Sequence, residues 1–93
     1  MHTRTLGRTG LEVSVIGFGG IPIRRAPHDE AVALYRRAMD LGITYFDCAR
    51  AYVRNEERLA EAIQGRREEV VICSRDLAHT KAEMAATIDT SLQ

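Results

Sequence analysis

The sequence predicts an α/β protein in which a β-hairpin is followed by three strand–helix units. Apolar, strand-like runs begin near residues 13, 43 and 70, and a segment with helical periodicity follows each of them. The unit therefore repeats about every 30 residues, a spacing typical of parallel strands joined by right-handed crossovers. We expect residues 1–93 to form one structural unit, with the hairpin at 3–13 and the three βα units at 13–93.

The hairpin and the first strand lie at the N-terminus. Two short β-prone stretches, 3–6 and 11–13, flank Gly7-Arg8-Thr9-Gly10, whose glycines can adopt the positive φ of a tight turn. The run 13–20 is predicted as the first strand, and it ends in glycines. Pro22 and Pro27 exclude a helix directly after it.

The first helix is predicted over 29–41, before Gly42, with an apolar stripe formed by Ala31, Leu34, Tyr35, Ala38 and Leu41. The second strand is expected at 43–47. A second helix follows at 56–64, with Asn55 as its N-cap and a buried face formed by Leu59, Ala62 and Ile63.

The third strand covers 70–74, and its continuous apolar character is typical of a strand covered on both faces. Helix three opens with a capping box, in which Thr80 accepts from the N3 amide and Glu83 reaches back. Met84, Ile88 and Leu92 then recur every four residues.

The composition excludes several classes of protein. With 45% hydrophobic and 28% charged residues, and 13 basic against 13 acidic side chains, the chain should be globular and is not expected to bind nucleic acid or a membrane. No apolar run approaches the ~20 residues of a transmembrane helix, and no signal-peptide pattern follows Met1. Cys48 and Cys73 fit no CxxC motif, so reduced thiols in a cytoplasmic protein are expected, and we predict no metal site.

The stretch from Ile43 to Tyr52 contains the candidate chemistry. Asp47 ends the second strand and Tyr52 follows five residues later, so an acid and a phenol could face one pocket at the carboxyl end of a parallel sheet. The alternative is a structural role for both: an Asp at a strand end is often a turn or cap residue, and a Tyr before a helix often packs.

The glycines after the first strand do not indicate a Rossmann fold. Gly17-Phe18-Gly19-Gly20 lacks the GxGxxG spacing, and Pro22 prevents an immediate helix. Three segments together instead resemble the aldo/keto reductase superfamily: LGRTGLEVS (6–14), IGFGG (16–20) and LGITYFDCARAY (41–52). The resemblance covers essentially the whole chain, and its tail is most similar to bacterial members with a ferredoxin-like domain downstream.

The resemblance implies the start of a (β/α)8 barrel and NADPH-dependent reduction of aldehydes or ketones to alcohols. Asp47 would correspond to the family's catalytic aspartate and Tyr52 to its proton-donating tyrosine. Gly19, Gly20 and Ile21 would lie beside the nicotinamide and its ribose, with Asp47 also contacting the cofactor.

Arg75 stands where the resemblance predicts a catalytic lysine. A guanidinium is also a cation, so it could tune Tyr52, but it is larger and never neutral. The alternative is a surface arginine paired with Asp76 or Asp47. The family's histidine would lie on a fourth strand, and we expect loop or cap roles for His28 and His79.

Eight βα units require about 250 residues, so these residues are expected to form an incomplete barrel. Three hypotheses follow: an N-terminal fragment of a carbonyl reductase, a related protein that binds a nucleotide or a partner without turnover, or a short protein that completes its sheet by self-association through an open edge.

Overall fold

The computed structural model describes residues 1–49 and 54–92. It contains a two-stranded hairpin, a three-stranded parallel sheet, three α-helices and two 3-10 turns. The strands are β1 (Thr3–Thr5), β2 (Glu12–Ser14), β3 (Gly17–Gly19), β4 (Tyr45–Asp47) and β5 (Val71–Cys73); the helices are α1 (His28–Asp40), α2 (Asn55–Ala62) and α3 (Lys81–Ser91); the 3-10 turns are Ile21–Ile23 and Arg67–Glu69.

The predicted hairpin is confirmed, and its second strand ends later than expected. β1 and β2 pair antiparallel, with Thr3 opposite Ser14, and Gly7 and Gly10 have φ values of 54° and 77° in the connecting turn. The prediction that the first parallel strand starts near residue 13 is wrong, because Glu12–Ser14 belongs to the hairpin.

Hydrogen bonds of Ser14 separate β2 from β3 within the run 13–20 that was predicted as one strand. The Ser14 hydroxyl donates to the Ile16 carbonyl at 2.6 Å, which turns the chain before β3 begins at Gly17. Ser14 also exchanges two hydrogen bonds with Thr44, at 2.8 and 2.9 Å, and so anchors the hairpin to the start of β4.

The parallel sheet has the strand order β3-β4-β5. Its last row places Gly19, Asp47 and Cys73 side by side. The next backbone bonds continue the pairing, since Gly20 N donates to Asp47 O at 2.9 Å and Cys48 N to Cys73 O at 2.8 Å. The carboxyl ends of all three strands therefore meet at one edge.

One face of the sheet forms the core against α1 and α2. Phe18 and Phe46, from neighbouring strands, pack with Tyr35 of α1, with ring centroids 5.2 to 5.9 Å apart. Phe46 and Tyr35 are fully buried, and Leu59 of α2 completes this cluster. Because side chains alternate along a strand, Tyr45 and Asp47 lie on the opposite, open face.

The predicted apolar stripe of α1 is correct at three positions and wrong at two. Ala31, Tyr35 and Ala38 are buried, whereas Leu34 and Leu41 are 44% and 56% exposed. Leu34 lies about 100° around the helix axis from Tyr35, outside the contact with the sheet, and Leu41 follows the last helical residue. Val32 and Met39 take their places in the core.

Helix α2 buries Leu59, Ala62 and Ile63 as predicted, but Asn55 is not its N-cap. The helix begins at Asn55, and Arg54 precedes it with a left-handed φ of 51°. The Asn55 side chain points into the core instead of capping its own helix.

The capping box of α3 is present in a shifted form. Thr80 Oγ1 accepts from Glu83 N at 3.1 Å, as predicted, but the Glu83 carboxylate accepts from His79 N, one residue before the cap. Helix α3 itself contributes no buried residue to the core, and Ile88 is 49% exposed. None of the helices in the described ranges is long and apolar enough to cross a membrane.

Candidate active site

An acid and a guanidinium pair at the carboxyl edge of the parallel sheet. Asp47 is the last residue of β4, and Arg75 lies two residues beyond the end of β5. Arg75 Nη2 donates to Asp47 Oδ1. The Asp47 side chain is 34% exposed and the Arg75 side chain is 50% exposed. The pair therefore lies at the open face and remains accessible to another molecule.

Open space adjoins this carboxylate on the neighbouring strand. Gly19 is in register with Asp47, and a Cβ atom built on Gly19 would meet nothing within 4 Å. Ile21, two residues further, is 48% exposed and adds an apolar surface. Gly19 and Ile21 are exposed, whereas Gly20 between them is buried and packs against Asn55 of α2.

Tyr52 lies outside the described residues, as do its neighbours from 50 to 53. The structure does place the two segments that flank them. Asp47 and the buried Cys48 and Ala49 come before, and α2 begins shortly after, at Asn55.

Two further polar groups, Cys73 and Tyr45, share the open face with Asp47, and neither was predicted to belong to this site. Cys73 is in the same row as Asp47, and its Sγ lies 4.0 Å from Arg75 Nη2. A hydrogen bond with the Cys73 side chain raises the pKa of Tyr45, with smaller contributions from the charge of Cys73 and from burial. The sequence offered one indication for Tyr45: it lies two residues before Asp47 on the same strand, and side chains at this spacing point to the same face.

The remaining cysteine and two histidines lie elsewhere. Cys48 is buried in the core, and burial raises the pKa of its thiol. His28 pairs with Glu61, so it joins α1 to α2, and it is the first residue of α1 where a loop or cap role was expected. The His79 amide donates to Glu83. Within residues 1–49 and 54–92, no group of three or more His, Cys, Asp or Glu side chains could hold a metal ion.

Two buried polar residues of α2 make tertiary contacts, Asn55 with α1 and Arg58 with the loop that follows β3. Asn55 Nδ2 donates to the Tyr35 hydroxyl at 2.6 Å, and Arg58 Nη1 donates to the Ile23 carbonyl at 3.1 Å. Neither contact was predicted from the sequence. Arg58 lies four residues before the buried Ala62 and three after Asn55, and this spacing was the available indication that all three share one face.

Comparisons with known proteins identify the family. The model of the aldo/keto reductase family matches residues 15–93, so the chain belongs to this family. Among curated proteins, it is 34% identical over 77 residues to an uncharacterized oxidoreductase, YqkF, of Bacillus subtilis, covering 81% of this chain and 25% of that protein. It is 43% identical over 56 residues to L-galactose dehydrogenase of Arabidopsis thaliana, covering 56% of this chain and 18% of that protein.

Solved structures agree with this assignment. A putative aldo-keto reductase from Pseudomonas aeruginosa superimposes with a TM-score of 0.83 at 37% identity, covering 97% of this chain and 40% of that one. The holo form of an aldo-keto reductase from Bacillus halodurans gives a TM-score of 0.87 at 26% identity, covering 99% and 35%. The fold is thus an α/β fold similar to those of aldo-keto reductases, a family that generally binds NAD(P)H. The chain spans about a quarter or less of the length of the curated relatives it matches.

Proposed function

We propose that the protein is an NADPH-dependent oxidoreductase that reduces aldehydes or ketones to alcohols, and that residues 1–93 supply the first part of its barrel and active site. One observation carries the proposal: Asp47 and Arg75 pair at the carboxyl edge of the parallel sheet, beside the open Gly19. Family membership supports the reaction class. We further propose a small-molecule carbonyl substrate, no nucleic-acid or membrane partner and a cytoplasmic location.

Each residue has a role in the chemistry. NADPH would supply the hydride when bound, and negative charge then develops on the carbonyl oxygen. Tyr52 gives that oxygen a proton. A phenol with a pKa of about 10 is a weak acid at neutral pH, so a nearby cation that favours the phenolate assists the transfer. Arg75 is that cation, and Asp47 orients it through the ion pair.

The residues at the strand ends fit the nicotinamide end of the cofactor. Gly19 leaves space for a close approach to the backbone, and Ile21 offers an exposed apolar surface. Asp47 provides a carboxylate that can accept from ribose hydroxyls. Gly20, packed against α2, fixes the course of the backbone between them.

A second candidate function follows from Arg75 itself. A guanidinium cannot lose its proton at physiological pH and has a larger, planar shape than an ammonium group. A protein that keeps the nucleotide site but uses Arg75 only to neutralise Asp47 would bind a nucleotide or a partner without turnover.

NADPH binding and turnover by the full translation product containing this chain distinguish the two functions. Tyr52→Phe should lower kcat by about 10²- to 10⁴-fold on a panel of aldehydes and ketones, with NADPH affinity nearly unchanged, because only proton donation is lost. Arg75→Lys should retain or raise the rate, and Arg36→Lys, on the exposed side of α1, serves as the matched control. Absence of turnover in the parent and in Arg75→Lys, with NADPH still bound, would favour the binding function.

A further inference from the structure

Helix α2 directs two buried polar side chains at the loop after β3. Asn55 is fully buried and Arg58 is 7% exposed. They are three residues apart, so they lie on the same face of the helix. Burying amide and guanidinium groups is unfavourable unless they form hydrogen bonds, so the bonds that Asn55 Nδ2 and Arg58 Nη1 form offset part of that cost. Among the described residues, Asn55 Oδ1 and Arg58 Nε have no hydrogen-bond partner.

Arg58 binds the end of the short 3-10 turn Ile21–Ile23. Its Nη1 donates to the carbonyls of Ile23, at 3.1 Å, and Arg24, at 3.4 Å. The carbonyls at a helical C-terminus have partial negative charge and favour a cation. Among the described residues, no carboxylate forms an ion pair with Arg58, so these carbonyls are its principal electrostatic partners.

Asn55 fixes the other end of the same loop. Its amide lies so close to Gly20 that a Cβ atom there would be 2.6 Å from both Nδ2 and Oδ1. Nδ2 also donates to the Tyr35 hydroxyl, which places the amide between the loop and α1. The backbone of Gly20 is thus held against α2 from one side and against Asp47 O of β4 from the other.

We propose that Asn55 and Arg58, here called the α2 clamp, are positioning residues that hold residues 20–24 in the shape that receives the cofactor. The inference depends on the proposed function for the identity of the ligand. A loop that is already ordered loses less entropy on binding, so the clamp should act on cofactor affinity. Neither side chain is expected to touch the reacting atoms.

Trypsin cleavage of the folded protein tests the clamp without any cofactor. The Arg24–Arg25 and Arg25–Ala26 bonds lie at the end of the clamped loop, and the Arg8–Thr9 bond of the hairpin turn is an internal reference. Arg58→Met should raise cleavage at the loop bonds by about tenfold relative to the reference bond. In this variant the loop can open locally without losing the two hydrogen bonds that Arg58 donates to its carbonyls. Arg58→Lys, which can still donate, should recover part of the protection. Arg37→Met, at an exposed position of α1, is the matched control and should leave the ratio unchanged.

NADPH affinity provides the second measurement, made on the full translation product. Arg58→Met should raise the Kd for NADPH by about tenfold while kcat at saturating NADPH changes much less, since preorganisation affects binding. Arg58→Lys should lie between the parent and Arg58→Met.

A folded Arg58→Met variant with unchanged loop cleavage would overturn the clamp. If Arg58→Met does not fold, all bonds including Arg8–Thr9 are cleaved together, and Arg58→Lys decides instead: equal cleavage ratios in Arg58→Lys and the parent would then reject the proposal. A parent protein that binds no NADPH would contradict the proposed function alone, because the trypsin result judges the clamp separately.

Discussion

A glycine is needed at position 20 because a side chain there would collide with a neighbouring residue, and not because the backbone conformation demands one. Its φ of −82° is open to any residue. What excludes a side chain is the Asn55 amide, 2.6 Å from the position a Cβ atom would take. The amide is itself buried and bonded to Tyr35, so moving it aside would disturb that hydrogen bond.

Gly20→Ala is therefore expected to destabilise the protein. Forcing a methyl group into a packed contact costs about 1 to 3 kcal/mol, so the free energy of unfolding should fall by that amount in urea titrations without cofactor. The adjacent Gly19→Ala is the matched control, because its Cβ atom would enter open space and stability should change little. Equal losses for the two variants would contradict this account of the Gly20 contact.

The two cysteines should differ in reactivity. Cys48 is 1% exposed and burial raises its thiol pKa above the ordinary value, so its thiolate becomes available only at a higher pH. Cys73 is partly exposed on the open face. At pH 8, iodoacetamide should label Cys73 at least about tenfold faster than Cys48, because the thiolate is the nucleophile and access limits its reaction.

Peptide mapping after trypsin measures this directly, because the two cysteines lie in separate tryptic peptides, 38–50 and 68–75. Labelling of Cys48 should begin to rise only at more alkaline pH than labelling of free cysteine added as a reference, because burial raises the pKa of the Cys48 thiol. Faster labelling of Cys48 at pH 8 would contradict its placement in the core.

At the scale of the elements, α3 depends on its N-cap more than α1 or α2 do, because it contributes no buried residue. Thr80→Ala removes the acceptor for Glu83 N and should cost the helix about 1 kcal/mol. Amide exchange in residues 81–85 should therefore accelerate several-fold, while exchange in α1 stays unchanged.

Thr90→Ala serves as the control within the same helix. Thr90 Oγ1 donates to the Ala86 carbonyl, a back-bond that contributes little to the helix, and alanine is the better helix former. In Thr90→Ala, amide exchange in residues 81–85 should be slower than in the parent or unchanged. Acceleration in Thr90→Ala as large as in Thr80→Ala would show that the cap is not what holds the helix.

The boundaries of the elements show how far sequence reasoning could go. Turn glycines, apolar runs and helical spacing were sufficient for the hairpin, the parallel order and the buried face of α2. They were insufficient where a polar side chain makes a tertiary contact. Ser14 divides the β-prone run 13–20 by bonding Ile16 and Thr44, and Asn55 leaves its expected cap position to bond Tyr35.

The candidate site was predictable to the same extent. Local pattern placed Asp47 at a strand end, and the contact between Asp47 and Arg75 then followed from parallel register, which brings the ends of β4 and β5 together. The contacts of Arg58 with the Ile23 and Arg24 carbonyls were not predictable, because they depend on how α2 lies over a loop more than thirty residues earlier.

At the scale of the whole molecule, the outer strands of the parallel sheet each have a single neighbouring strand among the described residues. Within the described residues, β3 and β5 each pair only with β4, and Leu77 and Leu92 are 74% and 80% exposed. Unpaired strand edges and exposed apolar side chains favour association. We propose that a chain limited to residues 1–93 self-associates.

Sedimentation velocity across a concentration series measures this tendency. The average mass of the 1–93 chain should exceed that of one copy and rise with concentration. Val71→Lys, which places a charge on the edge strand β5, should lower the mass, because edge lysines oppose strand pairing. Val15→Lys is the matched control on an exposed residue outside the sheet, and should have no effect. A single-copy mass for the parent at every concentration would refute the proposal.

The contacts of Asn55 and Arg58 with the loop after β3 have a consequence for protein engineering. The loop at residues 20–24 is held by a helix from the following βα unit, so a single βα unit is not a self-contained module here. A chimera that exchanges this loop with that of another family member must exchange positions 55 and 58 with it. Recombination breakpoints between residues 25 and 54 would separate the loop from its support, whereas a breakpoint after α2 would preserve both.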